Sequence, residues 1–559
     1  MAYFERLFQN RYLIIALCLL PLVLYGLFFG SIALNVNYVA YDDIHVLQIV
    51  EQWQHAITWR EKLDWLTVGF PEHRIVFTRT VVLLSYFLTG TVNFKSLMMI
   101  SNLLWIGQLV FVYQIFNKNA LPLFYFIPVC WIVLNVHSFE NIFWGTSSLG
   151  NFGLLFFVMA AGYFYAKSSI RSLYWALLFS FLATFTYGNG LLTFLIGILL
   201  FLVTQRWREA VYTLGGFVFT MLLYALTRAH ASPSGLDFTQ PSNYLHALSC
   251  FLAFIGSSVN FDAYAPTSPA MWLSVGWGAV LIATMLWFIT PKIVGLFKKN
   301  KPLSFNQVEL FALFLFLFVC LSALGVVYKR AEGDGLIGMF KGRYRMYPTW
   351  GILSAFLLVI SHLSKPKKWV LPSLVAMSLF FNLLVLYYAI APAVNNRRAA
   401  VAQEFNSMYN EDLLGLKMFD LTGQDFLRLQ KLYQPDLFFL RELTFPLVPV
   451  QDQIFALDSV YFVGNNLQIL YTQDFIRPTH GFDDGAYIIL SSLTHTYMCA
   501  GIQQALPLKT FIRRGWYWDK GFSAGFNRAS VAAGEYNMYV LLRKNGKSQL
   551  LDTQRKVTF

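Results

Sequence analysis

The chain has 559 residues, of which 57% are hydrophobic, 18% aromatic and 13% charged, and its mean hydropathy is +0.52. Soluble domains carry about 25% charged residues, so a water-soluble globule is excluded and a polytopic membrane protein is indicated. The net charge of +13 does not mark a nucleic-acid binder, because the basic residues sit in short loops between apolar runs, as the positive-inside rule describes.

Arg6 and Arg11 precede an apolar run from about Tyr12 to Leu34. A cleaved signal peptide has a shorter apolar core, so this run is expected to be a retained first span with a cytoplasmic N-terminus. Further runs of spanning length follow at 96–116, 120–136, 151–167, 172–187, 190–205, 210–227, 271–290, 308–328, 348–363 and 369–390. Two other segments, 75–92 with Arg79 and 243–259 with His246, are amphipathic or short. Laid along the outer interface, they leave every basic cluster inside: Lys118, Lys167 with Arg171, Arg206 with Arg208, the lysines of 292–301 and those of 365–368.

The expected fold is therefore a polytopic α-helical membrane domain over 1–391 with about eleven transmembrane helices. Its outer loops are 35–95, 137–150, 228–270 and 329–347. The more polar remainder, 392–559, is expected to be an extracytoplasmic domain, α+β or β-rich. The segments "SVYFVG", "AYIILSS" and "HTYMCAG" read as strands, and Asn545-Gly546 reads as the turn of a hairpin. The five cysteines are scattered, without a disulfide framework or a CxxC spacing.

The chemistry-bearing residues gather on the expected outer face. "YDDIHVL" places Asp42 and Asp43 just beyond the first span, where a carboxylate can serve as a general base or can simply be hydrated. "PEHRI" sets Glu72, His73 and Arg74 at the start of an interfacial helix, a position that favours anions and also suits plain capping. "HSFENIFWGTSSLGNF" supplies Glu140, Asn141 and Trp144, amide and aromatic groups that suit a sugar or an interfacial belt. "TYGNGLL" reads as a structural turn.

The loop "YKRAEGDGLIGMFKGRYRMYP" carries Lys341, Arg343, Tyr344 and Arg345 and breaks the positive-inside pattern. Guanidinium forks grip phosphate oxygens at two points, and pairing with acids of the first loop is the plainer alternative. No Walker loop or HExxH occurs.

Together, the early acidic pair, the interfacial "EHRI" and the late basic loop give the chain a pattern that resembles the GT-C superfamily. These are polyprenyl-phosphate-dependent integral membrane glycosyltransferases, among them protein O-mannosyltransferases and lipid A aminoarabinose transferases. The likeness covers the architecture of about 1–391. Several relatives open the interfacial helix with His-Pro-Pro, where this chain reads Glu72-His73-Arg74 without prolines.

The resemblance implies transfer of a hexose or pentose from a polyprenyl phosphate to a glycan, lipid or protein acceptor, with inversion at the anomeric carbon. Asp42 would be the base, with Asp43 orienting the acceptor or sharing that role. Arg343 and Arg345, with Lys341, would hold the departing phosphate. His73 and Arg74 would line the same cavity, and Glu72, Glu140, Asn141, Trp144 and Tyr344 would meet the substrates. Paired carboxylates also suit Mg²⁺ or Mn²⁺, which some relatives need and others do not. The expected location is a bacterial inner membrane.

Two other readings stay open. One is an O-antigen ligase or polymerase, which would not need the early acids. The other is a lipid-linked-sugar flippase, which would place charges in mid-span and show an inverted repeat.

Overall fold

The computed structural model describes residues 10–33, 37, 43–70, 73–227, 235–262, 266–299, 305–362, 370–410, 428–434, 439–440, 443, 449–450, 453–474, 476 and 481–559. The chain is mostly helical and divides into two compact units. The first comprises Met1–Leu27, Glu51–Leu83 and Leu97–Ala389, and the second Phe28–Val50, Leu84–Ser96 and Ile390–Phe559.

A helix forms in each of the eleven stretches expected to span. Among the described residues six are long and apolar enough to cross a membrane: Arg11–Ile32, Phe94–Lys118, Gly145–Tyr165, Ser268–Val294, Gln307–Asp334 and Pro372–Asn410. The expectation of about eleven is thus met by six at that standard. Length accounts for four of the other five, while Trp207–Ala225 has 19 residues but opens on Arg208 and Glu209. Phe126–Val133 has 8 residues and Leu192–Val203 has 12, roughly 12 and 18 Å at about 1.5 Å per residue, against a hydrocarbon core of about 30 Å. Apolar sequence continues past these helices into turns and 3-10 segments such as Leu123–Tyr125 and Gly188–Leu191, which a hydropathy window does not separate from helix.

In the first unit, Gly145–Tyr165 is the most enclosed of the six, 78% buried over its apolar window, against 22% for Arg11–Ile32. The latter leaves Leu19, Leu20, Val23 and Leu27 exposed. Apolar surface of this extent is untenable in water and natural against lipid tails. Close packing relies on small residues and on buried polar struts. Trp350 Nε1 donates to Gln108 Oε1 at 2.9 Å, Trp105 Nε1 to the Val133 carbonyl at 3.1 Å, and Asn382 Nδ2 to the carbonyls of Trp131 at 2.8 Å and Leu134 at 3.1 Å. Where no water competes, such bonds pin one helix register to another. The two segments expected at the interface form Val76–Thr89 and Ser242–Gly256.

The second unit carries a β-sandwich. One sheet has the order β1-β2-β5, with β1 Ser459–Val463, β2 Asn466–Tyr471 and β5 Phe522–Asn527. The other has the order β4-β3-β6-β7, with β3 Gly485–Ser491, β4 Thr496–Ala500, β6 Glu535–Lys544 and β7 Lys547–Thr558. Leu467 and Ile469 of one sheet share a core with Ile488, Leu490, Met538 and Val540 of the other. The opposite face of the larger sheet is covered by the end of helix Val370–Asn410, where Val401, Ala402 and Phe405 pack on Tyr487, Ile489 and Met498. This explains why β3 is buried along six successive positions rather than alternating, since it is covered on both faces. The β6–β7 turn is Asn545-Gly546, with φ of 53° and 71°, the left-handed pair that a tight hairpin demands.

Candidate functional site

In the first unit the basic loop and the "HSFENIF" segment come together. Glu140, on the short helix Phe139–Phe143, accepts the backbone N–H of Arg343 at 3.1 Å. Asn141 Nδ2 donates to the Arg343 carbonyl at 2.9 Å, and Asn151 Nδ2 donates to Asn141 Oδ1 at 2.7 Å. A Cβ on residue 342 would stand 2.6 Å from Glu140 Cδ, so Gly342 is what lets the loop close on the carboxylate. Asn141 is fully buried and serves as a strut.

Arg343 is half-buried. Burial works against its charge, but hydrogen bonding with Tyr344 and the nearby Glu140 and Tyr187 outweigh it, so its affinity for the proton is raised above the usual value. Arg345 is enclosed, with Nε donating to the Phe340 carbonyl at 3.3 Å and Nη2 to that of Asp262. Burial, partly offset by Glu140 and Asp262, draws it down to about 10. The two arginines therefore differ: Arg345 directs donors at the backbone and staples two loops, whereas the guanidinium of Arg343 lies among side chains. Lys341 is half-exposed and paired with Asp334 at 2.6 Å.

Tyr187 links this region to the "EHRI" segment. Its ring lies where a Cβ on Gly150 would be, 2.6 Å away, and it meets His73 edge-on at 4.6 Å. His73 is held by paired backbone bonds with Phe70, at 2.7 and 3.3 Å. Arg74 is buried, stacked 4.5 Å from the Tyr224 ring, with Nε donating to Thr227 Oγ1 at 2.6 Å. Trp144 is buried at the start of Gly145–Tyr165. Sequence reasoning missed Tyr187 and Asn151. The tyrosine of "TYGNGLL" was read with the glycines as a turn, although a ring beside two glycines leaves room for close neighbours. It also missed His137, whose Nε2–H donates to the Asn260 carbonyl at 2.9 Å. Burial and the charge of Arg345 hold this imidazole neutral, well below its usual range.

No family model matches this chain, and neither does any curated protein. The functional reading therefore rests on the residues alone.

Asp43 belongs to the second unit, where it is fully buried at the start of helix Asp43–His55. Burial first, then the charges of Glu404 and Asp43, push the Tyr433 hydroxyl well above its usual range, so the two carboxylates and this tyrosine are neighbours. The same wall is stitched by Asn37, which accepts the Phe94 N–H at 2.8 Å and donates to the Gln434 carbonyl at 2.5 Å. A hydrated surface acid is thereby excluded for Asp43. Asp42 and Glu72 lie outside the described residues. Among the described residues no three His, Cys, Asp or Glu side chains group closely enough to hold a metal.

Proposed function

We propose that the chain is a GT-C-like membrane glycosyltransferase with about eleven spans. It would move a hexose or pentose from a polyprenyl phosphate to a glycan, lipid or protein acceptor on the outer face of a bacterial inner membrane. The supporting observation is Arg343, a guanidinium held among Tyr344, Tyr187 and Glu140 on a loop fastened by Glu140 and Asn141. A fixed, charged fork of this kind suits a phosphate ester.

In this reading the acceptor hydroxyl attacks the anomeric carbon as the bond from that carbon to the phosphate oxygen breaks. The acceptor's proton passes to the Asp42–Asp43 pair, with Asp42 as base and Asp43 orienting the acceptor. The electron pair of the broken bond leaves with the lipid phosphate, whose charge Arg343 meets. Arg345 acts through the loop it staples. His73, Arg74, Glu140, Asn141, Trp144 and Tyr344, together with Glu72, form or support the substrate walls, and Lys341 lies at the rim. The buried environment of Asp43 beside Tyr433 and Glu404 supports a functional rather than a solvated acid. Mg²⁺ or Mn²⁺, where used, would fall to the hard oxygens of Asp42 and Asp43.

The test is transfer from labelled polyprenyl-phosphate sugar in membranes holding the parent, Asp42→Asn, Asp43→Asn or Arg343→Gln. Loss of transfer in the variants is expected, and the reading falls if Asp42→Asn and Asp43→Asn both match the parent.

A further inference from the structure

The C-terminal ends of Phe94–Lys118 and Gly145–Tyr165 bring two lysines onto one aromatic ring. Lys167 Nζ lies 3.7 Å from the centre of the Tyr163 ring and 4.7 Å from that of Phe164, and Lys118 Nζ lies 5.7 Å from Tyr163. Tyr163 is buried and its hydroxyl donates to Gln114 Oε1, so the ring is a fixed platform. The two ammonium groups thus gather about one ring. Neither is paired with a carboxylate among the described residues. Ring attraction explains why each lysine is there. It does not offset the repulsion between two like charges gathered about one ring, and a bridging anion does.

We propose that Lys118 and Lys167 form a phosphate-binding site in which one phosphate group bridges the two ammonium groups above Tyr163. Both helices are of membrane-crossing length and both end here, which is the depth of lipid headgroups. Lysine binds phosphate as a point charge, and two such charges about one ring each meet an oxygen of one phosphate. The site stands apart from Arg343. Gly145–Tyr165 has 21 residues, about 31 Å of helix, and its other end begins beside Glu140 and Asn141. Burial, with Lys118 next to it, lowers Lys167 to about 8, the direction that a partner anion would reverse.

The experiment uses the full-length protein in phosphatidylcholine nanodiscs, with phosphatidylglycerol added in one arm and inorganic phosphate in place of chloride in the other. The readouts are Tm and the lipid retained on ejection into a native mass spectrometer. A rise in Tm is expected in one of the two arms, lost in Lys118→Gln/Lys167→Gln and kept in Lys118→Arg/Lys167→Arg. A rise with retained phosphatidylglycerol identifies a lipid headgroup, and a rise with phosphate alone identifies a soluble phosphate. Two results would overturn the site: no rise in either arm, or a rise that persists undiminished in the double glutamine variant.

Discussion

The side-chain amide of Asn141 donates to the carbonyl oxygen of Arg343 at 2.9 Å, across 202 positions of sequence. The bond is buried and its acceptor belongs to the residue that carries the candidate phosphate ligand. Asn141→Ala would strand that carbonyl and leave the amide of Asn151, which also leans on Asn141 Oδ1, with only its 3.3 Å bond to Ser147 Oγ. An unsatisfied buried polar group costs about 1–3 kcal/mol, so a clear fall in Tm in detergent is expected. An unchanged Tm would mean the amide is dispensable.

Gly342 closes against Glu140 with no space for a methyl group, the added Cβ lying 2.6 Å from Glu140 Cδ. Gly342→Ala is expected to lower stability by about 1–3 kcal/mol through overpacking. The pair offers a sharper check than the single variant. If the collision is the cause, Glu140→Ala should recover part of the loss, giving a non-additive cycle. Strict additivity would point elsewhere.

His137 gives a pH dependence with a definite sign. Burial and the Arg345 charge hold its folded-state pKa well below the ordinary histidine value of 6.5, so between the two values the unfolded chain binds more protons. Stability is then fully present above about 6.5 and declines as pH falls below it. Tm measured from pH 7.5 down to 5 should fall, and His137→Gln should flatten the part of the slope that this residue supplies. A parallel slope in the variant would assign the effect to other groups.

Asp484, fully buried, accepts the backbone N–H groups of Asn545 at 2.9 Å and Gly546 at 3.1 Å. It thereby fixes the β6–β7 turn from the start of β3. Asp484→Ala should cost about 1–3 kcal/mol for the donors left unmet, read as earlier thermal unfolding of the sandwich by near-ultraviolet circular dichroism. Asp484→Asn, which keeps one acceptor oxygen, should cost less.

Much of this arrangement was legible in the sequence, and what was not has a common cause. The helix positions, the three strand segments quoted from the tail and the Asn545-Gly546 turn follow from local periodicity and turn chemistry, which act over a few residues. The basic loop and the "HSFENIF" segment were each singled out, but not the bonds joining Glu140 and Asn141 to Arg343, because nothing local encodes a partner 200 positions away. The number of membrane-length helices was overread where apolar turns extend short helices, as around Phe126–Val133. Asp43 looked like an edge charge because charges usually are. Its burial depends on Tyr433 and Glu404, which lie far along the chain.

The helix laid over Tyr487, Ile489 and Met498 has a practical corollary for fragment work. A soluble piece cut at the first strand, near residue 453, would strip Val401, Ala402 and Phe405 from that face and present a bare greasy sheet to water. Such a piece is expected to self-associate, whereas one starting upstream of Val401 keeps its own cover.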